Sequence, residues 1–464
     1  VLSSYGLQKL QTAKSQAEIR ENASKRYTLE ALSFRTELTP NTLMKVLAGD
    51  VGVDKHTLSR CFRAFNLVLK PEDYEQVTMT SNLSPVPLSP SQNSPAGAGQ
   101  FKNQNYIDWS TAPDISAFYG RSSELLMLRQ WIVEDRCRLV ALCGMGGIGK
   151  TWLSVKLAEQ IQDEFEFVIW RSLRHAPPIH DFLAQLIRLL SQQSGFDLAE
   201  TFSEQISQLI ELLRASRCLL VLDNAETILQ GYEQQSSSKY QFAGYCRPGY
   251  EGYGELLRQI GESRHQSCLV LTSREKPNEI KQLAGEDLVV RAILVKGLAV
   301  PTIQAIFKTK GDFQGRDSDW HRLVEYYAGN PLILQLASTT IQTVFGGNIA
   351  EFLDEHIHIW GGICDLLEQQ MQRLSEVEIE ILSCLAAQTQ PVCYMTVRAQ
   401  VSASISTKTV LEALESLSVR SLVEPQNGYF FLQPFLVEYM TNCFRLPAHS
   451  YHRFSSICLL LLSD

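Results

Sequence analysis

The chain has 464 residues, 45% of them hydrophobic and 20% charged, with a net charge of −8. These are globular proportions for about three domains, and the acidic balance excludes nucleic-acid binding along the whole length. The 11 cysteines are scattered without a C-x-x-C pair or zinc-type histidine spacing, which excludes a disulfide framework or zinc site and predicts reduced thiols in a cytoplasmic protein. No signal peptide is read, and no apolar run approaches the roughly 20 residues that span a bilayer, so no membrane partner is expected.

Residues 1–74 form a basic unit, with 11 Lys/Arg against 6 Asp/Glu up to Lys70. Thr28 to Leu32 reads as a capped helix start. Thr39-Pro40-Asn41 caps a second helix, Thr42 to Leu47, stopped by Gly49. A third runs from Lys55 to Phe65, with Leu58, Cys61, Phe62 and Phe65 on one face. Two short helices around a polar turn, with another helix behind, predict a helix-turn-helix-like unit. It either places Asn41, Thr42 and Lys45 in a DNA groove or serves as a small helical protein-interaction module.

Residues 75–108 read as a linker, rich in Ser, Pro, Asn and Gly between Ser81 and Gln100. Beyond it, apolar runs at Leu139–Cys143, Phe167–Trp170, Cys218–Leu222, Cys268–Leu271 and Leu288–Val295 alternate with helices such as Ile179–Leu190 and Phe202–Ala215. That alternation predicts an α/β domain, residues 109–295, with a parallel sheet covered on both faces. Gln230–Gly254, rich in Tyr, Gly and Ser, reads as a surface loop.

The chemistry concentrates at strand ends. Gly144-Met145-Gly146-Gly147-Ile148-Gly149-Lys150-Thr151 matches G-x-x-x-x-G-K-[ST] between a strand and the helical spacing of Trp152–Gln162. The glycines let backbone N–H groups converge on phosphate oxygens at a helix N-terminus. Lys150 is expected at the β- and γ-phosphates, and the Thr151 hydroxyl on Mg²⁺. A second magnesium ligand is expected from a neighbouring strand, and Cys218–Leu222 ends in Asp223. Glu226 is the candidate base that polarises water; a helix-start charge is its bland alternative. Arg274, where Cys268–Leu271 ends, is placed to neutralise the γ-phosphate.

Taken in order, Phe118-Tyr119-Gly120-Arg121-x-x-Glu124, the phosphate loop, LLVLDN at 219–224, LTSR at 271–274 and Gly329-Asn330-Pro331-Leu332 resemble the NB-ARC domains, a branch of the STAND class of P-loop NTPases. The resemblance implies a P-loop domain followed by a helical domain, residues 296–365, a winged-helix domain, residues 366–445, and a tail, residues 446–464. It implies ADP/ATP and Mg²⁺ as cofactors, with nucleotide contacts from loop residues 144–151 and from Trp152, Tyr119, Arg121 and Pro331. The family's winged-helix histidine aligns with Gln433, a neutral hydrogen-bond donor beside Pro434. Asn224 stands where many relatives carry a second acid, so hydrolysis is expected to be slow. The implied function is a signalling switch that forms homo-oligomers when activated. Two rivals stand beside it: an ATP-dependent DNA-binding transcription regulator, and an adaptor that keeps ADP without hydrolysing it.

Overall fold

The computed structural model describes residues 105–110, 112–191, 197–231, 243–355, 358–388 and 390–445. It also describes a scatter between 6 and 74 whose longest unbroken run is 55–65. The chain divides into two compact units, Val1–Gly99 and Gln100–Asp464.

In the first unit, α1 (Lys55–Ala64) buries Leu58, Cys61 and Phe62 against Leu10 and Leu32. Arg35 Nε donates to the Ala64 carbonyl at 2.8 Å, at the helix's last residue. Lys9 pairs with Asp73 at 2.8 Å. Asn41, Thr42 and Lys45 lie outside the described residues.

The second unit is built on a six-stranded, wholly parallel sheet in the order β1-β3-β4-β5-β2-β6: β1 (Tyr106–Asp108), β2 (Leu139–Cys143), β3 (Phe167–Ser172), β4 (Cys218–Asp223), β5 (Cys268–Ser273) and β6 (Val290–Leu294). Strands β2, β4 and β5 are buried at every residue because helices cover both faces. Alternate residues serve opposite layers. Ala141, Ile169, Leu220 and Leu269 face α4 (Ile179–Ser191), α5 (Phe202–Ala215) and α6 (Glu251–Glu262). Val140, Val168, Leu219 and Val270 face α2 (Ser122–Arg129) and α3 (Lys150–Ile161).

Three expectations change. Strand β1 falls inside the segment read as linker, where it pairs with β3 at the sheet edge. Its three residues are too few and too exposed to leave an apolar run. The segment read as a loop, 230–254, ends in the first turn of α6, where Tyr253 is buried. Finally, β4 does not adjoin β2, because β5 is hydrogen-bonded between them.

After β6 the chain is mostly helical: α7 (Asn278–Leu283) precedes that strand, then come α8 (Val300–Lys308), α9 (Asp317–Tyr326), α10 (Pro331–Val344), α11 (Ile349–Asp354), α12 (Gly361–Met371) and α13 (Glu376–Ala386). The last part is β7 (Val392–Cys393), α14 (Tyr394–Gln400), α15 (Thr407–Val419), the hairpin β8 (Glu424–Gln426) and β9 (Tyr429–Phe431), and α16 (Pro434–Arg445). The small sheet runs β7-β9-β8, antiparallel. One apolar core extends from Leu298 to Met440 and also takes in Met145 of the phosphate loop. The core therefore crosses the boundary expected at residue 365, and it reaches the loop from above.

Candidate nucleotide site

The glycine pattern becomes geometry at the end of β2. Gly144, Gly147 and Gly149 have φ of 150°, 79° and 98°, a region side chains rarely adopt. A Cβ at Gly147 would stand 2.8 Å from Leu332 Cβ, so close approach also requires glycine there. Lys150 opens α3, is buried, and donates from Nζ to the carbonyls of Gly144 at 2.7 Å and Met145 at 3.0 Å. Burial pulls its pKa down to about 8, against the pull of the nearby Glu226 carboxylate. A buried ammonium held only by carbonyls is poised for a stronger anionic partner.

Thr151 Oγ1 donates to Asp223 Oδ1 at 2.8 Å, and Thr272 Oγ1 donates to the same oxygen at 2.5 Å. Thr272 belongs to β5, so the intervening strand orients the acid that an adjacent strand was expected to carry. Burial raises the Asp223 pKa, with both hydroxyls opposing. A hydroxyl beside a carboxylate is an oxygen-donor set that suits a hard divalent cation, and the glycine cradle fits a polyphosphate.

The other expected residues distribute as follows. Arg274 Nε pairs with Glu226 Oε1 at 3.2 Å, and the Arg274 backbone N–H donates to Glu226 Oε2 at 3.3 Å. The candidate base therefore has both carboxylate oxygens on Arg274. Asn224 adopts φ 63°, a left-handed conformation in which Asn is favoured. Arg121 sits behind the loop, donating to the Ile148 carbonyl at 2.9 Å and pairing with Glu124 at 2.7 Å. Tyr119 packs partly buried against the C-terminal core, and Trp152 is 38% exposed. The Pro331 ring lies 3.9 Å from where a Gly149 Cβ would stand. Gln433 is placed elsewhere: its Nε2 donates to Glu424 Oε1 on β8 at 2.6 Å. No hydrogen bond among the described residues joins it to the loop.

Two groups of residues were not given roles from sequence. Asn330 caps α10, accepting from the N–H groups of Leu332 at 3.1 Å and Ile333 at 3.3 Å, while its Nδ2 donates to the Gly146 carbonyl at 2.9 Å. An Asn before Pro at a helix start is a capping signal, and it lay inside the quoted motif. The second group is Glu275, directly after Arg274. Its Oε1 accepts from Arg373 Nε at 2.7 Å and Arg420 Nη1 at 2.5 Å. Arg420 also pairs with Glu378 at 3.2 Å, and Arg373 Nη2 donates to the carbonyls of Glu226 and Leu229. Glu275, Arg420 and Glu378 are each at most 4% exposed. Single charges separated by 98, 145 and 42 residues along the chain build this cluster, and no local spacing announces it.

A parallel sheet, a glycine loop opening a buried-lysine helix, and a hydroxyl–carboxylate pair define a P-loop nucleotide-binding protein. Residues 122–232 match the model of the NB-ARC domain, so this part of the chain is an NB-ARC domain.

Among curated relatives, an uncharacterized WD repeat-containing protein of Nostoc sp. is 43% identical over 348 residues, 73% of this chain and 27% of that protein. The chain thus spans about a quarter of that relative's length. The disease resistance protein RPM1 of Arabidopsis thaliana is 30% identical over 101 residues, 20% of this chain and 11% of that one. Among solved structures, a STAND protein with a tetratricopeptide repeat sensor from Pyrococcus horikoshii is 19% identical with a TM-score of 0.38, over 76% of this chain and 46% of that one. A Walker-type ATPase of Pyrococcus abyssi is 15% identical with a TM-score of 0.44, over 70% and 96%. No helix among the described residues is long and apolar enough to cross a membrane. Nor do the described residues hold a group of three or more His, Cys, Asp or Glu side chains suited to a metal ion.

Proposed function

We propose that the chain is a nucleotide switch. ADP or ATP occupies the loop of residues 144–151, hydrolysis is slow, and exchange of one for the other releases the C-terminal region for self-association. Residues 366–445 are read as the winged helix that docks in the resting state, and residues 296–365 as the helical domain. The order helix, strand, two helices, hairpin and helix from α13 to α16 supports that reading.

One observation carries the proposal: the adjacent pair Arg274–Glu275 at the end of β5. Arg274 reaches over the loop, while Glu275 holds Arg373 and Arg420 of the C-terminal region. A change in phosphate number felt by Arg274 is therefore one residue from the contact that holds the C-terminal region down.

Lys150 leaves its carbonyl partners for phosphate oxygens, and Arg274 balances the charge of a terminal phosphate. Thr151 and Asp223 would hold Mg²⁺, which would supply neutralisation of phosphate charge. Glu226 acts on water only after Arg274 releases it, which together with Asn224 supports slow turnover. Pro331 and the backbone around it bound the nucleotide on the α10 side.

The test is made on the full chain. Nucleotide extracted after purification is expected to be ADP, with slow turnover of added Mg²⁺-ATP and neither property in Lys150→Ala. Wild-type protein that carries no nucleotide and binds neither ADP nor ATP contradicts the reading.

A further inference from the structure

Residue Gln370 lies in the last turn of α12, a helix that buries Ile363, Leu366, Leu367 and Met371 in the C-terminal core. Apolar neighbours hold the helix in place and leave the Gln370 side chain 5% exposed. Its carboxamide reaches the phosphate loop. Gln370 Nε2 stands 3.1 Å from where a Gly146 Cβ would be, and Arg274 Cζ stands 3.2 Å from the same point. The two polar groups therefore converge on one patch of loop backbone, next to the Gly144 and Met145 carbonyls that hold the Lys150 ammonium. That ammonium marks the β/γ end of a bound polyphosphate.

The amide is not satisfied where it stands. Gln370 Oε1 is buried with no hydrogen-bond partner among the described residues. Buried polar atoms are almost always paired, and the exceptions call for an explanation. A terminal phosphate beside Gly146 gives the Nε2 protons an acceptor. The water that surrounds a charged phosphate gives Oε1 a donor. A neutral amide adds a directional contact here without adding a second positive charge next to Arg274.

We infer that Gln370 is the C-terminal region's own contact to the terminal phosphate, and that it discriminates a nucleoside triphosphate from a diphosphate. The inference rests on the nucleotide reading above and deepens it. It moves the C-terminal contact from Gln433, which is occupied by Glu424, to a different glutamine. It also joins the contact to the clamp: Arg373, three residues on, holds Glu275 and the carbonyls of Glu226 and Leu229. A shift of Gln370 toward a phosphate thereby pulls Arg373 away from Glu275, the contact that fastens residues 407–420 through Arg420.

The experiment compares Mg²⁺-ADP and Mg²⁺-ATPγS affinities by calorimetry on the full chain, for wild type, Gln370→Met and Gln370→Glu. Methionine keeps the length of the side chain and suits its apolar surroundings, so the fold is expected to hold; equal unfolding midpoints confirm it. A hydrogen bond to a charged group lost without a new unpaired atom weakens binding about tenfold. Gln370→Met is expected to lose about that factor for ATPγS while ADP changes less than threefold. Gln370→Glu, which sets a carboxylate against the phosphate, is expected to lose more for ATPγS. Equal losses for both nucleotides assign Gln370 a structural role, unchanged affinities place it outside the site, and a gain for ATPγS makes it a steric block. Each of these overturns the inference while leaving the nucleotide reading intact. Wild type that binds neither nucleotide overturns that reading instead.

Discussion

The nucleotide-binding domain is gripped at two places, the phosphate loop and Glu275 at the end of β5, and the two grips use different chemistry. On the α10 side the contacts are neutral and local. Asn330 caps its own helix and donates to Gly146, Leu332 N–H donates to the Gly147 carbonyl at 3.3 Å, and the Leu332 side chain packs on the glycine. On the C-terminal side the grip is ionic: Glu275 takes Arg373 and Arg420, and Arg420 takes Glu378. Neutral caps and packing depend on shape, and they hold whatever the charge of the ligand. A buried ion network depends on every partner being present, and removing one leaves a charge stranded in low dielectric. The difference suits a molecule whose α10 side stays fixed to the loop while its C-terminal side lets go.

The largest expected effect comes from stranding a charge. Arg420→Ala leaves Glu275 with Arg373 alone and removes the ionic partner of Glu378. The expected loss of stability is about 3–5 kcal/mol, typical of breaking a buried pair, read as a lower urea midpoint. A loss below about 1 kcal/mol means that the cluster is hydrated and the ionic grip is weak.

A smaller effect is expected on the neutral side. Asn330→Ala removes the cap of α10 and the donor to Gly146, and a lost cap costs about 1–2 kcal/mol. Combined with Arg420→Ala it should add to within about 0.5 kcal/mol, because the two grips share no partner. A coupling energy well above that value makes the two sides one cooperative unit and removes the contrast between them.

Much of this was legible in the sequence, for physical reasons that also mark the limit. The buried strands β2, β4 and β5 leave continuous apolar runs, so the sequence pattern points to Lys150, Thr151, Asp223 and Arg274, and the fold sets them beside one loop. Strand β1 is three residues at an exposed edge and leaves no such trace. The resemblance puts Gln433 at the nucleotide, but Glu424 on β8 accepts from its amide, a contact that motif order does not register. Glu275 was passed over because it sits beside Arg274 as an ordinary acid. Its partners Arg373 and Arg420 come from the end of α12 and the end of α15, and only the docked C-terminal region brings them together. Gln370 was invisible for the same reason: it reads as one more polar residue on an amphipathic helix until the helix is laid over Gly146.

The central claim is that the nucleotide decides whether the C-terminal region stays fastened at Glu275. Amide hydrogen exchange of the full chain, followed at Glu251–Ser273 as an internal reference and at Thr407–Arg420, tests it most directly. With Mg²⁺-ADP, residues 407–420 should be as strongly protected as the reference. With Mg²⁺-ATPγS the account predicts faster exchange at 407–420, above all near Val419 and Arg420, and an unchanged reference. Equal protection of 407–420 in both nucleotides would contradict it.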